Sequence, residues 1–168
     1  CLMPDPETGE PVNVSHIIPR SKADLLRRRT ALERISEYTV GVMGRSPDYM
    51  NVTYAGFAAR PDEWSANGNE RGAENLLTYQ KFLRRNDISL THALLAPTID
   101  KSLGDIVGPG NDVSLRRVGA SEHGMIIRGA RILATLAPFA DELAVYPAYP
   151  LAEGAEDFAL SFCIPMNT

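Results

Sequence analysis

An arginine and a tyrosine four residues apart, Arg45 and Tyr49, form the first candidate site in this chain of 168 residues. Ser46, Pro47 and Asp48 lie between them and are typical of a helix start, with serine as the N-cap and proline in the first turn. A helix N-terminus favours an anion, the guanidinium adds a permanent charge, and the phenol adds a hydroxyl. The pair therefore predicts a site for a phenolate or another compact oxyanion. A structural role is the alternative, in which the tyrosine packs in the core and the arginine pairs with an acid.

The second candidate is His92, which lies in the short apolar stretch 89–95 before Pro97. This stretch is predicted to be helical. An imidazole exchanges protons near neutral pH, so it can act as a general acid or base. Taken alone, such a histidine can also be a hydrogen-bonded core residue. The other two histidines, His16 and His123, are predicted to be structural, and the three show no metal-ligand spacing.

The first part of the chain is predicted to be mainly helical. Ser21 and Asp24 resemble a capping box, and apolar residues then recur at helical spacing until Gly44. A second helix starts at the Ser46 cap and ends before Pro61. The first residues are polar and rich in proline, which favours an extended arm or loop. The predicted elements are an arm over 1–20, helices over 21–43, 46–60 and 73–86, and a polar loop over 62–72.

The pattern changes near residue 112, after which strands are predicted. Alternating and β-branched residues follow one another between turn signals. Helices followed by strands indicate an α+β fold, with an N-terminal helical domain over 1–110 and the first part of an antiparallel β-domain over 111–168. The predicted strands are 113–118, 124–131, 142–146 and 157–164, with a turn at 121–124.

Composition excludes several classes of partner. Hydrophobic residues make up 44% and charged residues 23%, which is ordinary for a globular domain. The formal net charge of -4 argues against a nucleic-acid partner. The longest apolar run, 132–140, is far too short to cross a bilayer, and no signal peptide is recognisable at the start. We therefore expect a cytoplasmic protein with no membrane and no nucleic acid as partner. Cys1 and Cys163 give no disulfide framework.

Four runs of sequence carry a family resemblance: 19–21, 44–51, 90–94 and 128–142. Together they resemble the oxygenase component of the two-component, reduced-flavin-dependent phenol hydroxylases, the 4-hydroxyphenylacetate 3-monooxygenase family. The resemblance covers about residues 17–168. It implies an acyl-CoA dehydrogenase-like fold with an N-terminal helical domain, a middle β-domain and a C-terminal helical bundle. This sequence would hold the first domain and part of the second, without the bundle.

The resemblance also implies site residues. It indicates that Arg45, Tyr49 and His92 surround the phenolic oxygen of the substrate. Relatives that use small phenolic acids tend to carry a Ser-Thr pair where Ala148 and Tyr149 stand in the expected substrate site. This difference favours another, larger phenol. The implied contacts with the flavin are His92, Ala93, Leu94, Thr98, Ile99, Asp100, Lys101 and Thr135. Family members commonly have arginine where Lys101 stands.

The implied reaction hydroxylates a phenolic ring ortho to its hydroxyl, with FAD bound as FADH2 and O2 as co-substrate. Arg45 and Tyr49 would orient the phenol and favour its ionised form, while His92 would assist proton movement. A separate NAD(P)H:flavin reductase would supply FADH2, and relatives are commonly homotetramers. The substrate would be a tyrosine derivative, free or bound to a carrier protein, or a substituted phenol.

Two other functions stay open at this stage. A related flavoenzyme could act on thioesters, as acyl-CoA dehydrogenases and 4-hydroxybutyryl-CoA dehydratase do. The dehydratase needs cysteines around an iron–sulfur cluster, and this chain has none between Leu2 and Phe162. A non-catalytic assembly module is the other alternative. It predicts that the side chains of Arg45, Tyr49 and His92 point away from one another.

Overall fold

Two compact units, Cys1–Ser89 and Leu90–Thr168, make up the chain in a computed structural model. The model describes residues 1–98, 110–111, 113–132, 134–151 and 153–167. None of the helices formed by these residues has the length and hydropathy of a membrane span. The helices are α1 (Lys22–Tyr38), α2 (Tyr49–Ala58), α3 (Pro61–Ser65) and α4 (Glu70–Asn86). The strands are β1 (Leu2–Pro4), β2 (Pro11–Asn13), β3 (Leu90–Ala93), β4 (Arg116–Ser121), β5 (Gly124–Arg128), β6 (Glu142–Val145) and β7 (Phe162–Pro165).

The α+β class is confirmed, because the α-helices described lie in the first unit and paired strands dominate the second. Along the sequence, the boundary between the two units falls between Ser89 and Leu90, which is earlier than the predicted boundary near residue 110. The assignment of domains 1–110 and 111–168 stays a prediction.

The N-terminal arm is a folded hairpin rather than an extended segment. β1 and β2 pair antiparallel, with Met3 opposite Val12. A 3-10 turn, Val14–His16, follows and is buried. The hairpin and turn therefore contribute side chains to the core of the first unit instead of lying on its surface. The cluster that they form with α1 consists of Met3, Val12, Val14, Ile17 and Ala31.

A buried ion pair fixes this hairpin to α4. Nε of Arg84 donates to Oδ2 of Asp5 at 2.6 Å, and the two side chains are 6% and 0% exposed. The backbone amides of Glu7 and Thr8 also donate to Asp5, at 2.7 and 3.2 Å. Burial opposes ionisation of Asp5, but these hydrogen bonds outweigh it and hold its pKa below the ordinary value. The stability that Asp5 contributes is therefore present above the unfolded pKa of about 3.9 and lost as pH falls through the folded pKa.

Further hydrogen bonds join the turn to two helices. Nη1 of Arg84 donates to Oε1 of Gln80 at 2.9 Å, and Nε2 of Gln80 donates to the carbonyl oxygen of His16 at 2.7 Å. From α1, Nη2 of Arg28 donates to the carbonyl oxygen of Ser15 at 3.0 Å. Backbone carbonyl groups that lose contact with water on burial need hydrogen-bond donors from the protein. The turn is thus held from both sides by side-chain donors.

The start of α1 is as predicted, and its end is not. The hydroxyl of Ser21 accepts from the backbone amide of Asp24 at 3.1 Å, which confirms the capping interaction. The helix ends at Tyr38 rather than near residue 43. Gly41 adopts a left-handed backbone with φ of 68°, a conformation that commonly terminates helices.

The predicted starts of two later elements were wrong. α2 begins at Tyr49, and its N-cap is Asp48 rather than Ser46. Asp48 makes no side-chain capping hydrogen bond there. The region 62–72 is not a loop, because α3, a 3-10 turn and the first turn of α4 occupy it. Pro61 at the first position of α3 is a helix-start signal, since its fixed φ suits the first turn.

The second unit contains a mixed sheet and a separate hairpin. β3 and β6 pair in parallel, with Leu90 opposite Glu142, and β6 pairs antiparallel with β7. β4 and β5 form the predicted hairpin around the turn at 121–124.

A strand overlaps each of the predicted ranges, with different bounds. The prediction was wrong for the start of 157–164, because a 3-10 turn, Glu156–Phe158, lies there and β7 begins at Phe162. The predicted helix at 89–95 was wrong, because His92 lies in β3. A short apolar run fits a buried strand as well as a helix, and long-range pairing decides between them.

We expect Asp5→Asn to lower the free energy of unfolding by about 3–5 kcal/mol, because Arg84 would keep its buried charge and lose its buried carboxylate partner, with only the partly exposed Glu7 left at 3.6 Å. Chemical denaturation at neutral pH measures the effect. Asp62→Asn is the matched control, since the Asp62 side chain is 66% exposed and its ion pair with Arg60 lies at the surface. The control should lose far less stability. Equal losses in the two variants would contradict a dominant role for the buried pair.

A glycine after β5 gives a second stability prediction. Gly129 has φ of 119°, and a Cβ there would lie 2.5 Å from the carbonyl oxygen of Ser114. Gly129→Ala should therefore destabilise the chain by about 1–3 kcal/mol. Gly119→Ala in β4 is the control, because its nearest neighbour would be Cδ1 of Ile126 at 3.8 Å. Thermal unfolding compares the two variants, and similar melting temperatures would show that the turn does not need glycine.

Candidate functional site

Arg45 and Tyr49 contact each other at the start of α2. Tyr49 is the first residue of the helix, and Arg45 lies in the irregular segment before it. Cζ of Arg45 lies over the ring of Tyr49, 5.4 Å from the ring centroid, which is cation–π geometry. Arg45 is exposed and Tyr49 is half-buried. The structure therefore brings together two of the predicted site residues.

The ionisation of Tyr49 reflects two opposing influences. Burial raises the pKa of its phenol, and the hydrogen bond and charge of Arg45 lower it. Burial is the larger influence, so the pKa of Tyr49 lies above the ordinary value. The phenol consequently stays protonated near neutral pH and remains a hydrogen-bond donor. A cation and a neutral hydroxyl at one point can together stabilise an oxyanion.

Buried contacts hold α2 in place within the first unit. Met50 is fully buried, and Nδ2 of Asn51 donates to the hydroxyl of Ser15 at 3.2 Å. Tyr54 packs edge-on against Tyr79 of α4, with ring centroids 5.5 Å apart. These contacts lie within two turns of Tyr49. The position of the candidate pair is thus set by the core on one face of α2.

His16 is a core residue, as the sequence predicts. Its side chain is buried, and its Nε2 atom lies 3.5 Å from Oδ1 of Asp87. Burial lowers the pKa of His16, while the charges of Asp87 and Asp48 raise it. The net shift is downward, so the imidazole is neutral at neutral pH. This histidine contributes to packing beneath the start of α2.

His92 projects from β3 in the second unit. The residue is half-buried, and its ring makes an edge contact with Tyr146, with centroids 6.4 Å apart and planes at 76°. Because β3 and β6 are parallel, the residues that follow the two strands leave the sheet at the same edge. Ala148 and Tyr149, the predicted substrate contacts, follow β6. Ala148 is half-buried, and Tyr149 is 57% exposed.

The predicted flavin contacts have varied environments. Ala93 is buried in β3, and Leu94 after it is half-buried. Thr98 and Thr135 are exposed, which leaves hydroxyl groups at the surface of the second unit. Ile99, Asp100 and Lys101 lie outside the described residues.

Sequence reasoning missed Arg131, a half-buried residue of the second unit. Its Nη1 atom donates to the carbonyl oxygen of Leu94 at 3.1 Å, beside the predicted flavin contacts. The signal in the sequence was a lone cation in the otherwise apolar run 129–140. Such a residue is costly to bury unless it has a partner.

The predicted three-residue site spans both units. Arg45 and Tyr49 belong to the first unit, and His92 belongs to the second. A shared site for these residues stays a prediction. Among the described residues, no group of at least three His, Cys, Asp or Glu side chains is placed to hold a metal ion.

A family model, known proteins of similar sequence and solved structures of similar fold all indicate the same protein family. The family model described as "4-hydroxyphenylacetate 3-hydroxylase N terminal" matches residues 1–168. The 4-hydroxyphenylacetate 3-monooxygenase oxygenase component of Thermus thermophilus is 36% identical over 162 residues, which is 96% of this chain and 32% of the relative. The chain thus spans about a third of the length of such relatives.

A second relative acts on a substrate attached to a carrier protein. It is the (3S)-3-amino-3-(3-chloro-4-hydroxyphenyl)propanoyl-[peptidyl-carrier protein SgcC2] monooxygenase of Streptomyces globisporus, 30% identical over 70% of this chain and 21% of the relative. Among solved structures, the oxygenase component of 4-hydroxyphenylacetate 3-monooxygenase with FAD and 4-hydroxyphenylacetate has a TM-score of 0.82 and 34% identity. That similarity covers 99% of this chain and 33% of the solved chain.

The contact between Arg45 and Tyr49 can be tested by titration. We expect Arg45→Met to raise the pKa of the Tyr49 phenol further, because the substitution removes the hydrogen bond and charge that lower it. Ultraviolet absorbance of phenolate measures the titration, and Tyr49→Phe identifies its contribution among the six tyrosines. Arg60→Met is the control, since Arg60 pairs with Asp62 at the surface. A Tyr49 pKa that is unchanged or lower in Arg45→Met would contradict the contact.

Proposed function

Because the chain belongs to the 4-hydroxyphenylacetate 3-hydroxylase family, we propose that it is part of the oxygenase component of a two-component flavin-dependent monooxygenase. The enzyme would hydroxylate a phenol ortho to its hydroxyl group. The observation that carries this proposal is the family match over residues 1–168. The contact between Arg45 and Tyr49 supports it with the donors that a phenolate needs.

The overall reaction is balanced with one molecule of dioxygen. A phenol, O2 and FADH2 give a catechol, water and FAD, so one oxygen atom enters the ring and the other leaves as water. When bound, reduced flavin supplies the two electrons that activate dioxygen. A separate NAD(P)H:flavin reductase is the proposed source of FADH2. The protein must bind the phenol, orient its ring and control its proton.

Arg45 and Tyr49 are proposed to bind the phenolic oxygen of the substrate. The guanidinium favours the phenolate, and an ionised oxygen increases electron density at the ortho carbon that is hydroxylated. Tyr49 stays protonated because its pKa is raised, so its hydroxyl can donate to the same oxygen. Arg45 is exposed to solvent, and it contacts the ring of Tyr49. The pair would thus act both in orientation and in ionisation.

His92 is proposed to move a proton at the phenolic oxygen. An imidazole accepts and returns a proton near neutral pH, and the edge contact with Tyr146 restricts its ring. Its backbone lies in a strand that is hydrogen-bonded to β6, which fixes the position from which the side chain extends. A positioned group of this kind typically contributes about 100- to 10,000-fold in rate.

The flavin is proposed to lie against the end of β3 and the residues after it. The family resemblance implies these contacts with the flavin: His92, Ala93, Leu94, Thr98, Ile99, Asp100, Lys101 and Thr135. The exposed hydroxyls of Thr98 and Thr135 suit the polar groups of a dinucleotide. The Nε and Nη2 atoms of Arg131 are buried and have no hydrogen-bond partner among the described residues, which also fits an anionic cofactor.

A larger phenol than 4-hydroxyphenylacetate is the proposed substrate. The relative from Streptomyces globisporus acts on a carrier-bound amino acid with a phenolic ring. Ala148 and Tyr149 replace the Ser-Thr pair expected for a small phenolic acid, and the exposed ring of Tyr149 offers an apolar surface. We therefore propose a tyrosine derivative, free or attached to a carrier protein, or a substituted phenol. A homotetramer in the cytoplasm is proposed from the family resemblance alone.

The proposed reaction predicts catechol formation by the protein that carries this sequence. It would be mixed anaerobically with reduced FAD and a panel of phenolic acids, tyrosine derivatives and carrier-bound tyrosines, and then exposed to oxygen. We expect Arg45→Ala to lower kcat/KM about 10- to 100-fold through loss of charge-assisted hydrogen bonds. His92→Ala should lower kcat about 100-fold or more.

Arg60→Ala is the matched control for these variants. Arg60 is an exposed arginine whose partners are Asp62 and Glu63. Its replacement should leave catechol formation unchanged. The hydroxylase proposal fails if reduced FAD binds and oxygen is consumed, but no phenol in the panel yields a catechol.

A further inference from the structure

The backbone on either side of Arg131 is fixed by hydrogen bonds within the second unit. The amide of Ala130 donates to the carbonyl oxygen of Val113 at 2.8 Å. The amide of Ile132 donates to the carbonyl oxygen of Leu95 at 2.9 Å. Arg131 therefore lies on a short segment that is clamped between two others. Its side chain starts from a fixed point beside the residues that follow β3.

The guanidinium of Arg131 is only partly satisfied. Nη1 donates to the carbonyl oxygen of Leu94 at 3.1 Å, which orients the planar group. Nε and Nη2 are buried, and neither has a hydrogen-bond partner in the part of the chain that the structure describes. Buried donors of a charged group cost free energy unless an acceptor replaces the water that they lose.

Arg84 and Arg28 each have a carboxylate that compensates their charge, whereas Arg131 has none among the described residues. Arg84 is buried against the carboxylate of Asp5. Burial lowers the pKa of Arg28, and the charge of Asp48 opposes that shift. Burial also lowers the pKa of Arg131, but no charge among the described residues opposes it. Arg131 is thus a half-buried cation whose counter-ion is not supplied by the described chain.

We propose that Arg131 is an oxyanion-binding residue, with Nε and Nη2 donating to two oxygens of a ligand. These two nitrogens share one edge of the guanidinium, so they form the fork that recognises phosphate or carboxylate bidentately. Nη1 points to the other side, where Leu94 holds it. The fork is therefore preorganised for a ligand.

The favoured ligand is a phosphate group of the flavin cofactor, and this choice rests on the proposed function. Arg131 is hydrogen-bonded to Leu94, one of the residues assigned to the flavin. FAD carries two phosphates, and each keeps a negative charge at neutral pH, which would neutralise the buried cation. A carboxylate on the substrate offers the same chemistry. The two sources are distinguished by the choice of ligands in the test.

The first possible source of the oxyanion, a phosphate group of the flavin, is tested by measuring flavin affinity. We would measure the binding of FAD, FMN and riboflavin by fluorescence quenching in the protein that carries this sequence. Arg131→Gln should weaken FAD binding roughly 10- to 100-fold and leave riboflavin, which has no phosphate, unchanged. Arg131→Lys should be intermediate, because a point charge lacks the planar fork. Arg128→Gln is the matched control, since this arginine is exposed at the end of β5 and should not change affinity.

Thermal unfolding with inorganic pyrophosphate gives a readout that needs neither flavin nor turnover. Pyrophosphate should raise the melting temperature of the parent protein and of Arg128→Gln, but not that of Arg131→Gln. For the second source, a phenolic acid would be compared with its neutral methyl ester. A selective loss of affinity for the acid in Arg131→Gln would keep the oxyanion site and assign it to the substrate.

Two results would overturn the proposal. One is an equal loss of affinity for FAD, riboflavin and neutral phenols in Arg131→Gln, which would mean a structural role. The other is unchanged affinity for every anionic ligand in that variant. Failure of the proposed hydroxylation is a separate result. If no catechol forms but Arg131→Gln abolishes stabilisation by pyrophosphate, the oxyanion site stands and the reaction assigned to it does not.

Discussion

The buried ion pair between Asp5 and Arg84 is the constraint on which the first unit depends. The two residues are 79 positions apart, yet their side chains are almost fully buried at 2.6 Å. Two desolvated charges are tolerated only when the remaining donors and acceptors are also satisfied. This requirement draws in the amides after Asp5 on one side and Gln80 on the other. Gln80 in turn donates to the carbonyl oxygen of His16, so the hairpin, the turn and α4 form one polar network.

The same network reaches the candidate site through the turn. Ser15 accepts a hydrogen bond from Asn51, which lies in the first turn of α2. The first residue of that helix is Tyr49, and Arg45 lies over its ring. The geometry of an exposed arginine and a half-buried phenol thus depends on contacts made by the N-terminal hairpin. Damage to the Asp5 pair should therefore disturb the candidate site as well as stability.

Local signals in the sequence predicted those parts of the fold that local interactions determine. The capping residue Ser21, the hairpin turn at 121–124 and the strand near Glu142 were found because neighbouring residues decide them. The folded N-terminal hairpin was missed, since its polar, proline-rich composition is typical of a loop. The distant partner Arg84 supplies the opposite charge that compensates the burial of Asp5, and spacing along the chain does not reveal it.

The candidate site shows the same division between local and distant effects. Arg45 and Tyr49 were found from their spacing, and the structure places them in contact. His92 was found from its residue type, but the stretch around it was predicted to be helical. The strand was missed because parallel pairing of β3 with β6 joins segments far apart in sequence. Arg131 was missed because its significance lies in an absent counter-charge among the described residues, which spacing cannot show. An uncompensated half-buried cation is nevertheless a physical signal of its own: the described residues place a carboxylate beside Arg84 and another near Arg28, but none beside Arg131, and this difference is what motivates the proposed oxyanion site.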